Sequence, residues 1–240
     1  MLMKRIGLLI GGLLIGGVVA SSHPAMASVI VGLPAAAGNG NCYPFGCAYN
    51  AEYQQVYQAS AFSGPIDITN LEFFNTQYNS NSTALPDGTF TISLSTTQAS
   101  PTSLSSDFAT NIGSNQTTVF TGSIAQSWAF GDTLSLNLST AFNYDPGAGN
   151  LLLDVVGSNV SVPNGSVYFD YSSNVSASGR VYCPYGAACT AGTVQSNAGL
   201  VTEFSTGANV NAVPEPTSMA LLAVGLAALG LGYRSRQRRA

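Results

Sequence analysis

From Tyr53 to Ser205 the chain consists of short runs in which apolar residues alternate with Ser, Thr and Asn, and no long helical period interrupts them. A repeat of two places alternate side chains on opposite faces of a strand, so each run reads as a strand with one buried face. Phe90, Ile92 and Leu94 alternate with Thr91, Ser93 and Ser95. Leu134, Leu136 and Leu138 alternate with Ser135 and Asn137, and Val167 and Phe169 with Tyr168 and Asp170. Between Ile66 and Phe74 the apolar positions run Ile66, Ile68, then Leu71 and Phe73, a one-residue slip that predicts a β-bulge near Thr69 and Asn70. Tyr53 to Ser60 reads as a polar-aromatic strand, and Gly199 to Ser205 as the last strand. Leu151 to Val156 is a more continuous apolar run, suited to a central strand. Pro86-Asp87-Gly88, Gly131-Asp132, Asp145-Pro146-Gly147 and Pro163-Asn164-Gly165 supply turns. One helical turn is expected within Thr102 to Ile112, held by Leu104 and Phe108. The expected fold class is all-β, an antiparallel β-sandwich that is jelly-roll-like or immunoglobulin-like.

Both ends of the sequence have a different composition. Lys4 and Arg5 precede an apolar run from Ile6 to Ala20, and Ala25-Met26-Ala27 offers the two small residues, Ala25 and Ala27, that signal peptidase requires. Residues 1–27 are therefore expected to be a secretory signal peptide cleaved after Ala27. At the other end, Pro214 and Pro216 keep the chain extended, and Thr217 or Ser218 can cap a helix. From Met219 to Tyr233 there is no charged residue and the run is apolar on every face. A helix over residues 217–233 would span roughly 25 Å, close to a hydrocarbon core of about 30 Å. Arg234, Arg236, Arg238 and Arg239 follow, a cluster that the positive-inside rule keeps in the cytoplasm. The expected organisation is a signal peptide at 1–27, an exported β-sandwich domain at 28–212 and a sorting and anchoring segment at 213–240.

That last segment resembles a known family signal. Val213-Pro214-Glu215-Pro216, then a short apolar helix, then the arginine cluster, is similar in order and spacing to the PEP-CTERM sorting signal of Gram-negative bacteria. The resemblance implies processing by an integral membrane exosortase near Pro-Glu-Pro. It also implies transient anchoring through the helix, then a cell-surface or extracellular location in bacteria that make extracellular polysaccharide. Tyr53 to Thr69, Thr89 to Thr97 and Phe142 to Val155 resemble segments of β-rich bodies in the same family, for which no catalytic residues are known.

The charge of the body restricts its chemistry. Between Ser28 and Ala212 there are ten carboxylates and one cation, Arg180, a net charge near −9. Such a body repels nucleic acid and anionic surfaces, an acidic polysaccharide included unless a divalent cation bridges the two. The one histidine, His23, lies in the signal peptide, and no lysine lies in the body. Ser-His-Asp and Cys-His catalysis, His-ligated metals and lysine Schiff bases are thereby excluded for the body. Hydrolysis by paired carboxylates remains, with Glu52, Glu72 and Glu203 as candidates by residue type.

Four cysteines remain, Cys42, Cys47, Cys183 and Cys189. In an exported chain they are expected as disulfides, with local bridges Cys42–Cys47 and Cys183–Cys189 preferred over cross-pairing or a four-cysteine zinc site. Asp145 and Asn150 bracket a tight acidic loop that offers oxygen ligands to calcium, although an Asp capping its own turn is the ordinary reading. No other cofactor is expected. Trp128 and Phe130 are candidates for a sugar-stacking platform, against a core role for the tryptophan. Tyr168 and Tyr171 flank Asp170 as candidate groove residues, and Arg180 is expected to pair with Asp170 or Asp154. Three functions follow in order: a non-catalytic surface or matrix protein, a carbohydrate-binding module for extracellular polysaccharide, and a carboxylate-dependent glycosidase.

Overall fold

A computed structural model of the protein describes residues 28–33, 38–47, 52–80, 82–161, 165–173, 175–183 and 189–206, all within one compact unit, Met26–Ala212. The signal peptide, the 217–233 helix and the arginine cluster lie outside the described residues. Among those described, no helix is long and apolar enough to cross a membrane.

In chain order the strands are β1 (Ser28–Val31), β2 (Gly40–Asn41), β3 (Glu52–Tyr57), β4 (Ile66–Phe74), β5 (Asp87–Thr97), β6 (Thr117–Gly122) and β7 (Thr133–Tyr144). They continue with β8 (Asn150–Ser161), β9 (Phe169–Ser173), β10 (Ser178–Tyr182), β11 (Thr193–Gln195), β12 (Ala198–Leu200) and β13 (Thr202–Ser205). One α-helical turn, α1 (Phe108–Asn111), falls inside the segment where the sequence predicts it. All pairings are antiparallel, in a four-stranded sheet β1-β13-β4-β7, a six-stranded sheet β11-β10-β3-β8-β5-β6 and a small sheet β12-β9-β2.

The pairing is nested. β5 pairs with β6, β4 with β7, β3 with β8 and β1 with β13, like one long hairpin rolled so that successive pairs alternate between the two larger sheets. This is the strand arrangement of a jelly roll rather than of an immunoglobulin domain. The expected bulge is present: the β4–β7 register shifts between Ile68 and Asn70, which turns Ile68 and Leu71 both into the core. Gly199 to Ser205 differs from its expectation. It forms two strands, β12 and β13, that change sheets at Val201, whose N–H is donated to the Asp170 carbonyl (2.9 Å).

The core lies between the larger sheets. Tyr53, Tyr57, Leu151, Leu153, Val155, Phe90, Ile92 and Leu94 project into it from the six-stranded sheet, and Ile66, Ile68, Leu71, Phe73, Leu134, Leu136 and Phe204 from the four-stranded sheet. Tyr57 meets Phe204 edge-on at 4.8 Å between ring centroids, and its hydroxyl lies 2.8 Å from Thr202 Oγ1. Gln55 adds a polar stitch. Its Oε1 accepts from Leu200 N (2.8 Å) and Tyr53 O–H (2.5 Å), while its Nε2 donates to the Leu200 carbonyl (2.9 Å). A Cβ at residue 199 would come within 2.6 Å of that amide, so Gly199 is required by the close approach.

The six-stranded sheet is buried on part of its other face as well. Val56, Leu152 and Val181 point outward into a second apolar cluster with Leu104 and Phe108 of the β5–β6 connection. Pro101 of that connection lies directly over β10, where a side chain at Gly179 would collide with its carbonyl at 2.2 Å. The cover stops short of the far end of β8, where Val156 is 41% exposed. Leu153→Ala is expected to cost about 2–5 kcal/mol in urea unfolding of the protein. Val156→Ala, on the uncovered part of the same strand, should change stability by about 0.5 kcal/mol or less. Equal costs at both positions would contradict this division of β8 into sealed and open faces.

Candidate functional site

The uncovered part of that outer face holds two carboxylates. Glu52 opens β3 opposite Val156, and Asp154 lies opposite Gln54 one step further along, so all four side chains share the outer face. Asp154 interrupts the run Leu151 to Val156 and, by strand alternation, must point away from the core that Leu153 and Val155 enter. It is 6% exposed. Its Oδ2 accepts from Gln116 Nε2 (3.0 Å), and its Oδ1 is buried and meets no donor while both acids are charged. Gln54 is held from the other side: its Nε2 donates to the Phe108 carbonyl (3.1 Å) and its Oε1 accepts from Asn111 Nδ2 (3.0 Å). The helical turn thus clamps the residue lying between the two acids.

Both acids hold protons unusually tightly. Burial pushes the Glu52 carboxyl up to about 7, reinforced by the charge and hydrogen bond of Asp154 and by the charge of Asp107. Burial pushes Asp154 up to about 6 against hydrogen bonds with Gln54, Glu52 and Gln116 that favour its charged form. Two carboxyls in hydrogen-bond contact share a proton.

The other sequence candidates are placed as follows. Glu72 and Glu203 are direct cross-strand partners on the outer face of the four-stranded sheet. Each accepts from a hydroxyl, Glu72 from Ser135 (3.1 Å) and Glu203 from Ser28. The two disulfides are the local ones, Cys42–Cys47 and Cys183–Cys189. Asp145 Oδ1 accepts from Gly147 N (2.8 Å), capping its own turn. Asn150 accepts from Ala59 N (2.8 Å) and donates to the Ala99 carbonyl (2.8 Å), so both side chains of the acidic loop have structural partners.

Of the two readings of Trp128 the core role holds: it is 2% exposed and packs on Phe169 (4.9 Å), while Phe130, at 58% exposure, remains outside, so the two form no joint platform. One expectation is corrected. Arg180 pairs with neither Asp154 nor Asp170. It lies on the inner face of β10, its Nε and Nη2 donate to Gln195 Oε1 (2.8 and 2.5 Å), and its guanidinium lies over the rings of Tyr171 (4.6 Å) and Tyr182 (4.9 Å). Asp170 instead accepts from the N–H groups of Thr76 (2.7 Å) and Gln77 (2.8 Å) and from the Thr76 hydroxyl (2.5 Å), tying the loop after β4 to β9. Tyr168 stacks on exposed Tyr78 at 4.5 Å, an aromatic pair that periodicity does not reveal because Tyr78 lies in a loop without alternation. Two shallow polar hollows, one lined by Gln58, Ser100, Thr102, Asn150, Ser176 and Asn197 among others, contain no carboxylate.

The pair makes stability depend on pH with a defined sign. Glu52 and Asp154 titrate near their ordinary values of 4.5 and 3.8 in the unfolded chain and at about 7 and 6 when folded. Folding therefore takes up protons in this window. The pair's contribution is fully present below about pH 4 and is lost as pH rises to about 7. In chelator-treated buffer, thermal unfolding of the wild type should lose about 3 °C or more across this window from the pair alone. Glu52→Gln should flatten that slope; an unchanged slope in the variant would show that the pair does not couple to folding.

Comparison with known proteins concerns the other end of the chain. Residues 212–239 match the family model of the PEP-CTERM protein-sorting motif. No curated protein and no solved structure matches the chain. The matched stretch contains Pro214-Glu215-Pro216, the apolar run and the arginine cluster in the order set out above. The chain thus carries a PEP-CTERM protein-sorting motif at residues 212–239, the motif that implies processing by exosortase.

Proposed function

We propose that this protein is a non-catalytic surface or matrix protein whose jelly-roll body is delivered outside the cell by its sorting motif and released from the membrane after cleavage near Pro214-Glu215-Pro216. The match at residues 212–239 carries the reading. The body supports it. The two hollows found among the described residues hold no carboxylate. Signal peptidase and exosortase are the processing partners of this reading. An oxidising compartment outside the cytoplasm suits the two disulfides.

Carbohydrate binding is the second reading, and the Tyr78–Tyr168 stack favours it. Two tyrosines stacked at the surface, with Phe130 also exposed, offer apolar ring faces of the kind that lie against sugar rings, without charge that would select against neutral polymers.

Mass determination of the protein recovered from membrane and medium of its native host tests the first reading. A species that begins near Ser28 and ends between Val213 and Thr217, outside the membrane fraction, is the expected result. A species retaining Arg234 to Arg239 and confined to the inner membrane would overturn it. For the second reading, retention on the host's own polysaccharide should fall about tenfold or more in Tyr78→Ala, the scale of a lost stacking contact. Equal retention of wild type and variant would remove the stack as a binding surface.

A further inference from the structure

We propose, resting on the processing set out above, that removal of the signal peptide after Ala27 creates at Ser28 an ammonium group that docks against the carboxylates of Glu203 and Glu72 and pins β1 onto the four-stranded sheet. The observation that carries it is a contact across the sheet edge: Ser28 Oγ on β1 donates to Glu203 Oε1 on β13. Ser28 lies opposite Ser205 and Ile30 opposite Glu203, so the hydroxyl reaches diagonally along the outer face. The nitrogen and the hydroxyl oxygen of one serine are at most about 3.7 Å apart in any rotamer. A positive charge on the Ser28 nitrogen therefore lies within about 6 Å of the Glu203 carboxylate, inside the range over which opposite charges stabilise one another's ionised forms.

The sheet gains from a cation at this point. Glu203 is the direct cross-strand partner of Glu72, and like charges in opposed positions destabilise a sheet. Each acid accepts a hydroxyl, from Ser28 and from Ser135 (3.1 Å). Among the described residues the one basic side chain, Arg180, is buried on the six-stranded sheet and cannot serve them. The remaining titratable group that β13 and β4 present to this face is Asp67, further along β4, which accepts from Asn143 Nδ2 (2.7 Å). All three groups are acids, so the field at Ser28 has one sign. In the precursor the Ser28 nitrogen is an uncharged amide; in the mature chain it is the exposed cation that the body otherwise lacks. The strand also needs a tether. β1 is four residues long, lies at the sheet edge and pairs with β13 alone. Its inward anchors are Val31 and the partly buried Val29, and a chain terminus frays unless it is tied down. Charge pairing with Glu203 adds a tether at the residue where fraying would start.

The composition provides a clean probe. Lys4 is the one lysine of the sequence, so a chain from Ser28 to Ala240 has a single primary amine, the α-amine of Ser28. An acylating reagent attacks only the uncharged amine, whose ordinary range of half-ionisation is about pH 7.7–8.0. At about pH 6.5 and low salt this chain should be acylated about threefold or more slowly than its Glu203→Gln variant, because the carboxylates hold the proton on the amine. The two rates should converge at about pH 10, where both amines are uncharged, which separates charge from steric shielding. A chain that begins at Met26 carries its amine up to about 7 Å further along and should react like the Glu203→Gln variant. Stability has a matching sign. The tether is fully present below the ordinary α-amine range and is lost as pH rises through the raised value of the folded chain. Equal rates for the Ser28 chain and Glu203→Gln at about pH 6.5, or a gap that persists at about pH 10, would overturn the contact. Mass determination of the host protein reads the premise separately: a mature species that does not begin at Ser28 would overturn the proposal through the cleavage site instead.

Discussion

The six-stranded sheet has two faces to bury, and most of the structure follows from how it does so. One face closes the sandwich against the four-stranded sheet. The other would expose Val56, Leu152 and Val181 to water if the chain did not fold back over it. The β5–β6 connection supplies the cover through Leu104 and Phe108, and it is anchored by polar contacts as well as apolar ones. Asn111 donates to Gln54 and to the Ser105 carbonyl (2.9 Å), and Gly192 donates its N–H to the Ser106 carbonyl (2.8 Å). A strand buried on both faces must be apolar at consecutive positions, which is why β8 lacks the alternation of its neighbours. Asp154 marks where the cover ends. It is held by Gln116 from the edge of the connection and lies beside the open face that Glu52 and Val156 share.

A second constraint is the one cation of the body. Arg180 is 2% exposed, and no carboxylate compensates it. Its charge is met by two aromatic faces and by the side-chain oxygen of Gln195, with Nη1 left without a partner. Cation–π contacts of this kind contribute about 0.5–2 kcal/mol each, less than the cost of burying an isolated ion, so the site persists because the surrounding structure determines it. It links three elements: Tyr171 on β9, Tyr182 on its own strand β10, and Gln195 on β11. Tyr182 in turn stacks on Tyr43 (4.7 Å), between Cys42 and Cys47, so the disulfide loop leans on the same aromatic column.

The strands whose alternation is clean, β5 and β7, were legible in the sequence, as were the β4 bulge, the helical turn and the central place of β8. Strands β1, β2, β6, β10 and β11 were not, because they are short or lie at sheet edges where both faces tolerate mixed residues. The nested pairing was not legible either, since periodicity fixes which face a strand buries and says nothing about which strand it meets. The same limit hid the site. Glu52 and Asp154 stand far apart in sequence, and only the β3–β8 register brings them together. Asp154 did leave a trace, as the one charge inside Leu151 to Val156, and a charge inside a central strand is a reason to search for its partner. Arg180 misled for the opposite reason: charge counting paired it with the nearest acid type, whereas its strand position turns it inward among tyrosines.

These placements determine what the outside of the body can bind. With Arg180 sealed inside, the described surface carries carboxylates and no basic side chain. Long-range electrostatics therefore oppose approach to any polyanion, and do so more strongly at low salt. Association with an acidic polymer would have to be carried by a cation held jointly by protein and polymer, and would be abolished by chelator. Association with a neutral polymer would instead rest on ring faces such as the Tyr78–Tyr168 stack and would be indifferent to both salt and chelator. The two mechanisms use different residues, carboxylates in one and tyrosine rings in the other, so their responses to calcium separate them whatever the chemical identity of the polymer.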